Sequence, residues 1–175
     1  MGCVQVNSKN NNNISTIRNS KELNLQNFIN EALKQHNKLR RLHNAENLKI
    51  NKELQNYAQK FAEEIANKSL EYHSQCELNG KFLGENIFVN DNIITGEIMT
   101  NEFYNEKKNY DFNKGKCVID ASRFTQLVWK KTKEVGFGVS ISKSGKYYAV
   151  VNYYPAGNKL GEYKENVENV VSKNM

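Results

Sequence analysis

The chain has 175 residues, of which 38% are hydrophobic and 25% are charged, and these proportions indicate one soluble domain with a single core. No apolar run approaches the roughly 20 residues that a membrane-spanning helix needs, which excludes an integral membrane protein. The first 21 residues hold three of the 25 basic residues and no acidic one, which leaves 22 basic against 19 acidic residues. That balance is too even for a nucleic-acid-binding surface, so weak attraction to anionic lipid is expected instead.

Residues 1–24 are predicted to form a disordered leader, because the polar run Asn10–Asn13 cannot contribute to a core. Gly2 offers an acceptor for myristate once Met1 is removed, and Cys3 beside it offers a thiol for palmitate. Two acyl chains together give stable membrane anchoring. Val6 occupies the position where Ser or Thr is usual, so a leader without lipid stays open as the alternative.

Three cysteines without metal-type spacing indicate neither a disulfide framework nor a zinc ribbon. The start MGCVQVNSKNNNN lacks the basic and apolar regions of a secretory signal. We therefore expect a cytoplasmic protein with reduced thiols. The alternative is an extracellular protein in which Cys76 and Cys117 form a disulfide.

Apolar residues recur at steps of three and four and predict two N-terminal helices. The first helix covers Phe28–Leu39 and has His36 on its apolar face. The second begins at an Asn51 cap and presents the stripe Leu54–Ala66. After it, Ser69–Leu83 is predicted to be an irregular loop.

Two further helices and a hairpin are predicted in the second half of the chain. Thr95 is expected to cap a third helix that places Glu106 on its apolar face, and Asp120 to cap a fourth that reaches Trp129. Val135–Ser142 and Lys146–Tyr154 then form an antiparallel pair. These elements predict an α+β fold, a three-layer α/β/α sandwich with a small antiparallel sheet between helices.

Several segments resemble signatures of the CAP superfamily, which contains cysteine-rich secretory, antigen 5 and pathogenesis-related proteins. Ser122–Thr132 is similar to its first signature and Tyr153–Asn158 to its second. Gly84–Asn86 matches the family's central GEN element, and His73–Ser74 the His-Ser pair before it. The resemblance is strongest to the Golgi-associated type, and it implies a CAP domain over residues 25–166 followed by a tail, 167–175.

The resemblance implies a cleft in which two histidines and two glutamates can hold zinc. His73, Glu85 and Glu106 match three of these positions, but Arg123 replaces the second histidine. A guanidinium has no lone pair for a metal, so a two-imidazole site cannot form, and we expect no cofactor. Instead, Arg123 is expected to form a fork-like pair with Glu85 or Glu106. A weakly held ion at His73 stays open as the alternative.

The function that the resemblance implies is association with membranes or lipids, and the cleft residues indicate that this function is non-catalytic. The expected partners are an anionic membrane surface, a sterol or fatty acid, and a second copy of the chain, with no nucleic acid and no catalytic residue. The expected place is the face of the Golgi or another endomembrane. The alternatives are a His and Glu hydrolase that uses His73, and a secreted CAP protein. Phe82, Ile87 and Phe88 are expected to be core, with a lipid pocket as the less favoured prediction.

Overall fold

The computed structural model describes residues 24–170. Five helices are present in this part of the chain: α1 (Leu25–Leu42), α2 (Lys52–Lys68), α3 (Gly96–Asn105), α4 (Ser122–Val128) and α5 (Tyr163–Asn166). The strands in it are β1 (Lys49–Ile50), β2 (Glu77–Leu78), β3 (Lys81–Phe82), β4 (Gly84–Asn90), β5 (Glu134–Ile141) and β6 (Tyr147–Tyr154). None of these helices combines the length and the apolar character needed to span a bilayer.

One four-stranded sheet forms the middle layer, with the strand order β1-β5-β6-β4. β5 pairs antiparallel with β6 and β6 with β4, whereas β1 joins β5 in parallel, so the sheet is mixed. Residues of α1, α3 and α4 pack in a core with Phe137, Val151 and Tyr153 of the sheet. α2 packs in a second core with Tyr148 and Val150. The predicted three-layer α/β/α architecture is therefore confirmed.

α2 lies unusually close to the sheet because two strand residues have no side chain. A Cβ at Gly136 would lie 2.2 Å from the backbone carbon of Leu54, and one at Gly138 would lie 2.2 Å from the carbonyl oxygen of Ala58. Any side chain at either glycine would push the helix off the sheet. Leu54 and Ala58 belong to the apolar stripe that predicted this helix, and both are fully buried.

The predicted caps of the second and third helices agree with the structure. The side chain of Asn51 accepts from the amides of Glu53 and Leu54, and that of Thr95 accepts from the amide of Ile98. The hairpin is also confirmed, since β5 and β6 pair from Glu134↔Tyr154 to Ile141↔Tyr147. These features depend on residues close in sequence, which is why local patterns predict them.

Several predictions about individual residues and segments are wrong. Asp120 does not cap α4; it lies in a short 3₁₀ turn before the helix, and α4 ends at Val128 rather than at Trp129. Ser69–Leu83 is not wholly irregular, because β2 and β3 pair within it. Phe82 is not core, since it is 65% exposed. α3 ends at Asn105, so Glu106 is not on its apolar face but begins a 3₁₀ turn.

The most buried charged side chain is Arg40 of α1, which has no exposed surface. Its guanidinium donates to the carbonyl oxygens of Leu127 (2.8 Å) and Trp129 (3.0 Å), at the C-terminal end of α4. It also donates to the carbonyls of Glu46 and Thr132. Burial lowers the pKa of Arg40 to about 10, so the group stays charged at neutral pH and complements the negative end of the helix dipole.

Replacing Arg40 by methionine should lower the free energy of unfolding by about 3 kcal/mol, because several buried carbonyls lose their donor. Chemical denaturation followed by the fluorescence of Trp129 measures this. The matched control is Arg41→Met, since Arg41 is exposed and donates only to Asn47 among described residues. The control should change stability by no more than about 0.5 kcal/mol. Equal effects of the two substitutions would show that the guanidinium of Arg40 has no special structural role.

A second buried polar group on α1 is His36. Its Nδ1–H donates to the carbonyl of Ala32 at 2.9 Å, and its Nε2 accepts from the hydroxyl of Tyr153 at 2.9 Å. Burial lowers the pKa of His36 from 6.5 to about 3, and the nearby Arg40 charge acts in the same direction. The imidazole is therefore neutral in the folded protein.

Because the unfolded chain binds a proton at His36 below pH 6.5 and the folded chain does not until about pH 3, stability should fall as the pH drops through this window. The loss from this group is about 2 kcal/mol by about pH 5. His36→Gln should flatten the pH dependence of the unfolding free energy, whatever its effect on stability at pH 7. Burial also lowers the pKa of His43, so His43→Gln should flatten the profile further. A slope in His36→Gln equal to that of wild type would contradict the prediction.

Candidate functional site

An open cleft of about 550 Å³ lies beside the edge strand β4. All four residues predicted for the cleft contribute to its wall. Two more carboxylates, four other polar side chains and two isoleucines complete it: Glu71, Tyr72, Asn86, Ile87, Ile119, Asp120, Ser122 and Asn158. The strand β4 supplies Glu85, the 3₁₀ turn after α3 supplies Glu106, α4 supplies Arg123, and the segment after α2 supplies His73.

On one side of the cleft, Glu106 binds the first turn of α4. Its Oε1 accepts from the Nε of Arg123 at 2.5 Å. Its Oε2 accepts from the backbone amides of Arg123 (2.9 Å) and Phe124 (3.1 Å). Glu106 thus caps α4 from outside the helix, which explains why Asp120 does not. The expected arginine pair forms with Glu106 rather than with Glu85, and through Nε rather than as a fork.

On the other side, Glu85 binds the two residues of the His-Ser pair. Its Oε1 accepts from the amide of Ser74 at 2.8 Å and from the Nδ1 of His73 at 2.9 Å. Its Oε2 accepts from the hydroxyl of Ser74 at 2.5 Å. Since a carboxylate only accepts, Nδ1 of His73 carries the proton. The Glu85 side chain is 6% exposed, whereas that of His73 is 72% exposed, so the imidazole projects into solvent.

This arrangement is not that of a serine triad. In a serine triad the histidine lies between the serine and the acid and removes the serine's proton. Here Glu85 lies between Ser74 and His73, and the serine hydroxyl donates to the carboxylate. Ser74 and His73, although adjacent in sequence, turn towards the same partner. The cleft therefore contains a well-satisfied carboxylate rather than an activated nucleophile.

A hydrogen-bond chain that the sequence did not predict connects the cleft to the core. The side-chain amide of Asn86 donates to the backbone carbonyl of Arg123 (3.0 Å) and to the hydroxyl of Tyr153 (3.3 Å). Tyr153 in turn donates to His36. Burial raises the pKa of Tyr153 far above its usual value, so its hydroxyl keeps its proton. The only sequence feature that pointed to Asn86 as a residue linking the cleft to the core was its position in the GEN element.

The residues present do not fit the two-imidazole zinc site of the resembled family. Both oxygens of Glu85 and of Glu106 accept hydrogen bonds from the protein itself. Arg123 has no lone pair to offer a metal. Within residues 24–170, no three His, Cys, Asp or Glu side chains form a group that could hold a metal ion. Cys76 and Cys117 are free thiols, half-buried and exposed respectively.

Comparison with known proteins gives several matches. The chain is 36% identical over 142 residues to the human protein "Golgi-associated plant pathogenesis-related protein 1", covering 80% of this chain and 92% of that one. It is 34% identical over 143 residues to Protein PRY2 of Saccharomyces cerevisiae, covering 80% of this chain but 41% of the yeast protein. Among solved structures, NaASP2 with Zn²⁺ aligns with a TM-score of 0.61 at 23% identity, covering 81% of this chain and 85% of that chain.

The family model "CAP: Cysteine-rich secretory protein family" matches residues 33–153, which include the four predicted cleft residues, His73, Glu85, Glu106 and Arg123. This match and the human relative confirm the resemblance drawn from the signature segments. The fold shared with NaASP2 agrees with them. The chain therefore belongs to the CAP family.

Proposed function

We propose that this chain is a non-catalytic CAP protein that associates with the cytosolic face of the Golgi or another endomembrane. The observation that carries the proposal is its likeness to a human protein whose name describes it as Golgi-associated, across 92% of that protein. Gly2 and Cys3, the predicted acyl acceptors, lie outside the described residues. Other relatives are named as secretory proteins and venom allergens, so an extracellular protein is the competing function.

The geometry of the cleft supports binding rather than catalysis. General acid catalysis needs a carboxyl group that keeps its proton near neutral pH, and nucleophilic catalysis needs a base in contact with the nucleophile. Glu106 accepts three hydrogen bonds from the protein, one of them from a guanidinium, so its oxygens are already engaged in holding Arg123 and the start of α4. Ser74 contacts Glu85 rather than a base positioned by an acid.

The proposed partners follow from charge and composition. The leader carries three basic and no acidic residues among its first 21, which favours an anionic lipid surface. An acyl chain on Gly2 alone would give marginal, reversible binding, so a second chain on Cys3 or electrostatic attraction completes the anchor. A sterol or a fatty acid is the proposed small ligand, and a homodimer the proposed assembly.

Membrane association through the leader is tested by comparing wild type with Gly2→Ala in the native cells. Wild type should carry acyl mass and sediment with membranes, whereas Gly2→Ala should lack myristate and shift to the soluble fraction. Intact-mass spectrometry and fractionation measure both. Asn11→Ala is the matched control, because it alters the leader without removing an acceptor. An unmodified, soluble or exported wild-type protein would remove the anchoring hypothesis.

For the cleft we propose that the guanidinium of Arg123 takes the place of a metal cation. It supplies the positive charge next to Glu106 and leaves no open coordination position there. Its guanidinium also lies over the ring of Phe103, at 5.6 Å from the ring centroid. These contacts hold the side chain in place without an ion.

Arg123→His should therefore create affinity for Zn²⁺, because it removes the competing cation and supplies a neutral nitrogen near Glu106 and His73. Titration calorimetry with zinc chloride should show binding by this variant that is at least about tenfold tighter than by wild type. Arg123→Met is the control, since it removes the guanidinium without supplying a ligand. No gain in Arg123→His over Arg123→Met would sink this account of the site.

A further inference from the structure

A second groove, of about 650 Å³, lies on the domain surface beside the β2–β3 hairpin. The tip of that hairpin, Gly80–Phe82, forms one wall. The end of β6 and the residues after it, Tyr154–Ala156, form another, and Trp129 completes the apolar lining. None of its lining residues belongs to the cleft that holds Arg123.

The wall of this groove is mainly apolar, and its most prominent member is exposed. Phe82 is 65% exposed, although a phenylalanine gains about 2 kcal/mol or more from full burial. The neighbouring strand does not cover the side chain of Phe82, because β3 pairs only with the two residues of β2. A ligand with an apolar chain lying against Phe82 and Pro155 would remove this surface from water.

Three lysines stand around the same groove: Lys81, Lys131 and Lys159. Lys131 is already paired with Glu162 at 2.9 Å and Glu165 at 2.5 Å. Within the part of the chain that the structure describes, neither Lys81 nor Lys159 forms an ion pair. Two ammonium groups that form no ion pair among the described residues, beside an apolar wall, favour an anionic group on the ligand.

An unsatisfied donor lies in the same wall. The indole N–H of Trp129 is buried and has no hydrogen-bond partner among the described residues. A buried donor without a partner costs about 1–3 kcal/mol, and native structures rarely leave one. An acceptor oxygen of a ligand that reached this donor would recover part of the cost.

We propose that this groove binds an anionic amphiphile, an apolar chain ending in a carboxylate or a phosphate. The chain lies along Phe82 and Pro155, and Lys81 and Lys159 hold the anionic end. The groove volume is within the range of pockets that enclose small molecules. The inference rests on the proposed lipid association for the class of ligand, and it adds a site that is independent of the leader.

The single tryptophan of the chain makes the groove directly observable, because Trp129 lies in its wall. Titrating the full chain with monomeric dodecanoate should change Trp129 emission along a saturable curve. Energy transfer from Trp129 to cis-parinaric acid, a fluorescent fatty acid, should rise in parallel. Dodecanol is the uncharged comparison and should bind at least about tenfold more weakly. Dodecanol binding as tightly as dodecanoate would overturn the anionic requirement.

The variant that tests the site is Lys81→Glu combined with Lys159→Glu, which should weaken dodecanoate binding at least about tenfold, or about 1.4 kcal/mol. Lys34→Glu combined with Lys60→Glu is the matched control, since both lysines are exposed on helices away from the groove and the change in net charge is equal. The control should bind as wild type does. Equal binding by the two double variants would overturn the proposal.

Two further arms separate this inference from membrane anchoring. If emission changes with anionic vesicles but not with monomeric dodecanoate, the occupant is a bilayer and the proposal for the groove is wrong. Gly2→Ala should bind dodecanoate as wild type does, because the lining residues that the structure describes all lie outside the leader. Loss of membrane sedimentation in Gly2→Ala with intact dodecanoate binding would support both proposals, and loss of dodecanoate binding in that variant would overturn the independence of the groove.

Discussion

The short helix α4 is held at both of its ends by charged side chains from other elements, and the arrangement of the cleft depends on this. Seven residues are too few for a helix to be stable by itself. Glu106 binds the amides at its start, and Arg40 binds the carbonyls of Leu127 and Trp129 at its end. A negative charge at the amino end and a positive charge at the carboxyl end both complement the helix dipole. Since Glu106 follows α3 and Arg40 belongs to α1, the same contacts join three helices on one face of the sheet.

The carboxylates of the cleft serve structural roles in this protein. Glu106 caps a helix, and Glu85 orders the His73–Ser74 segment. Once their oxygens accept hydrogen bonds from the protein, few acceptor positions remain on these carboxylates for a metal ion. The fold alone would not decide this, because sites rather than folds carry function.

The buried polar chain from His36 through Tyr153 and Asn86 to the carbonyl of Arg123 makes the cleft part of the core. Each member has a partner, so the chain adds rigidity without leaving an unsatisfied group. The groove by the β2–β3 hairpin differs from this. Its phenylalanine is exposed, and among residues 24–170 two of its lysines form no ion pair and its indole N–H has no acceptor. The polar groups of the cleft are paired within the protein, whereas those of the groove remain available to a ligand.

The amino-acid sequence by itself determined α1, α2, the caps of α2 and α3, and the β5–β6 hairpin, because periodicity, capping and turn residues act between positions close in sequence. It also placed His73, Glu85, Glu106 and Arg123 together, through the resemblance to a family rather than through any spacing. Only the tertiary structure decided which carboxylate Arg123 pairs with and what caps α4. Arg40 and Leu127 are 87 positions apart, and no local pattern relates them. β4 escaped prediction and Phe82 was wrongly assigned to the core, because the burial of a short strand depends on the neighbours that the fold brings to it.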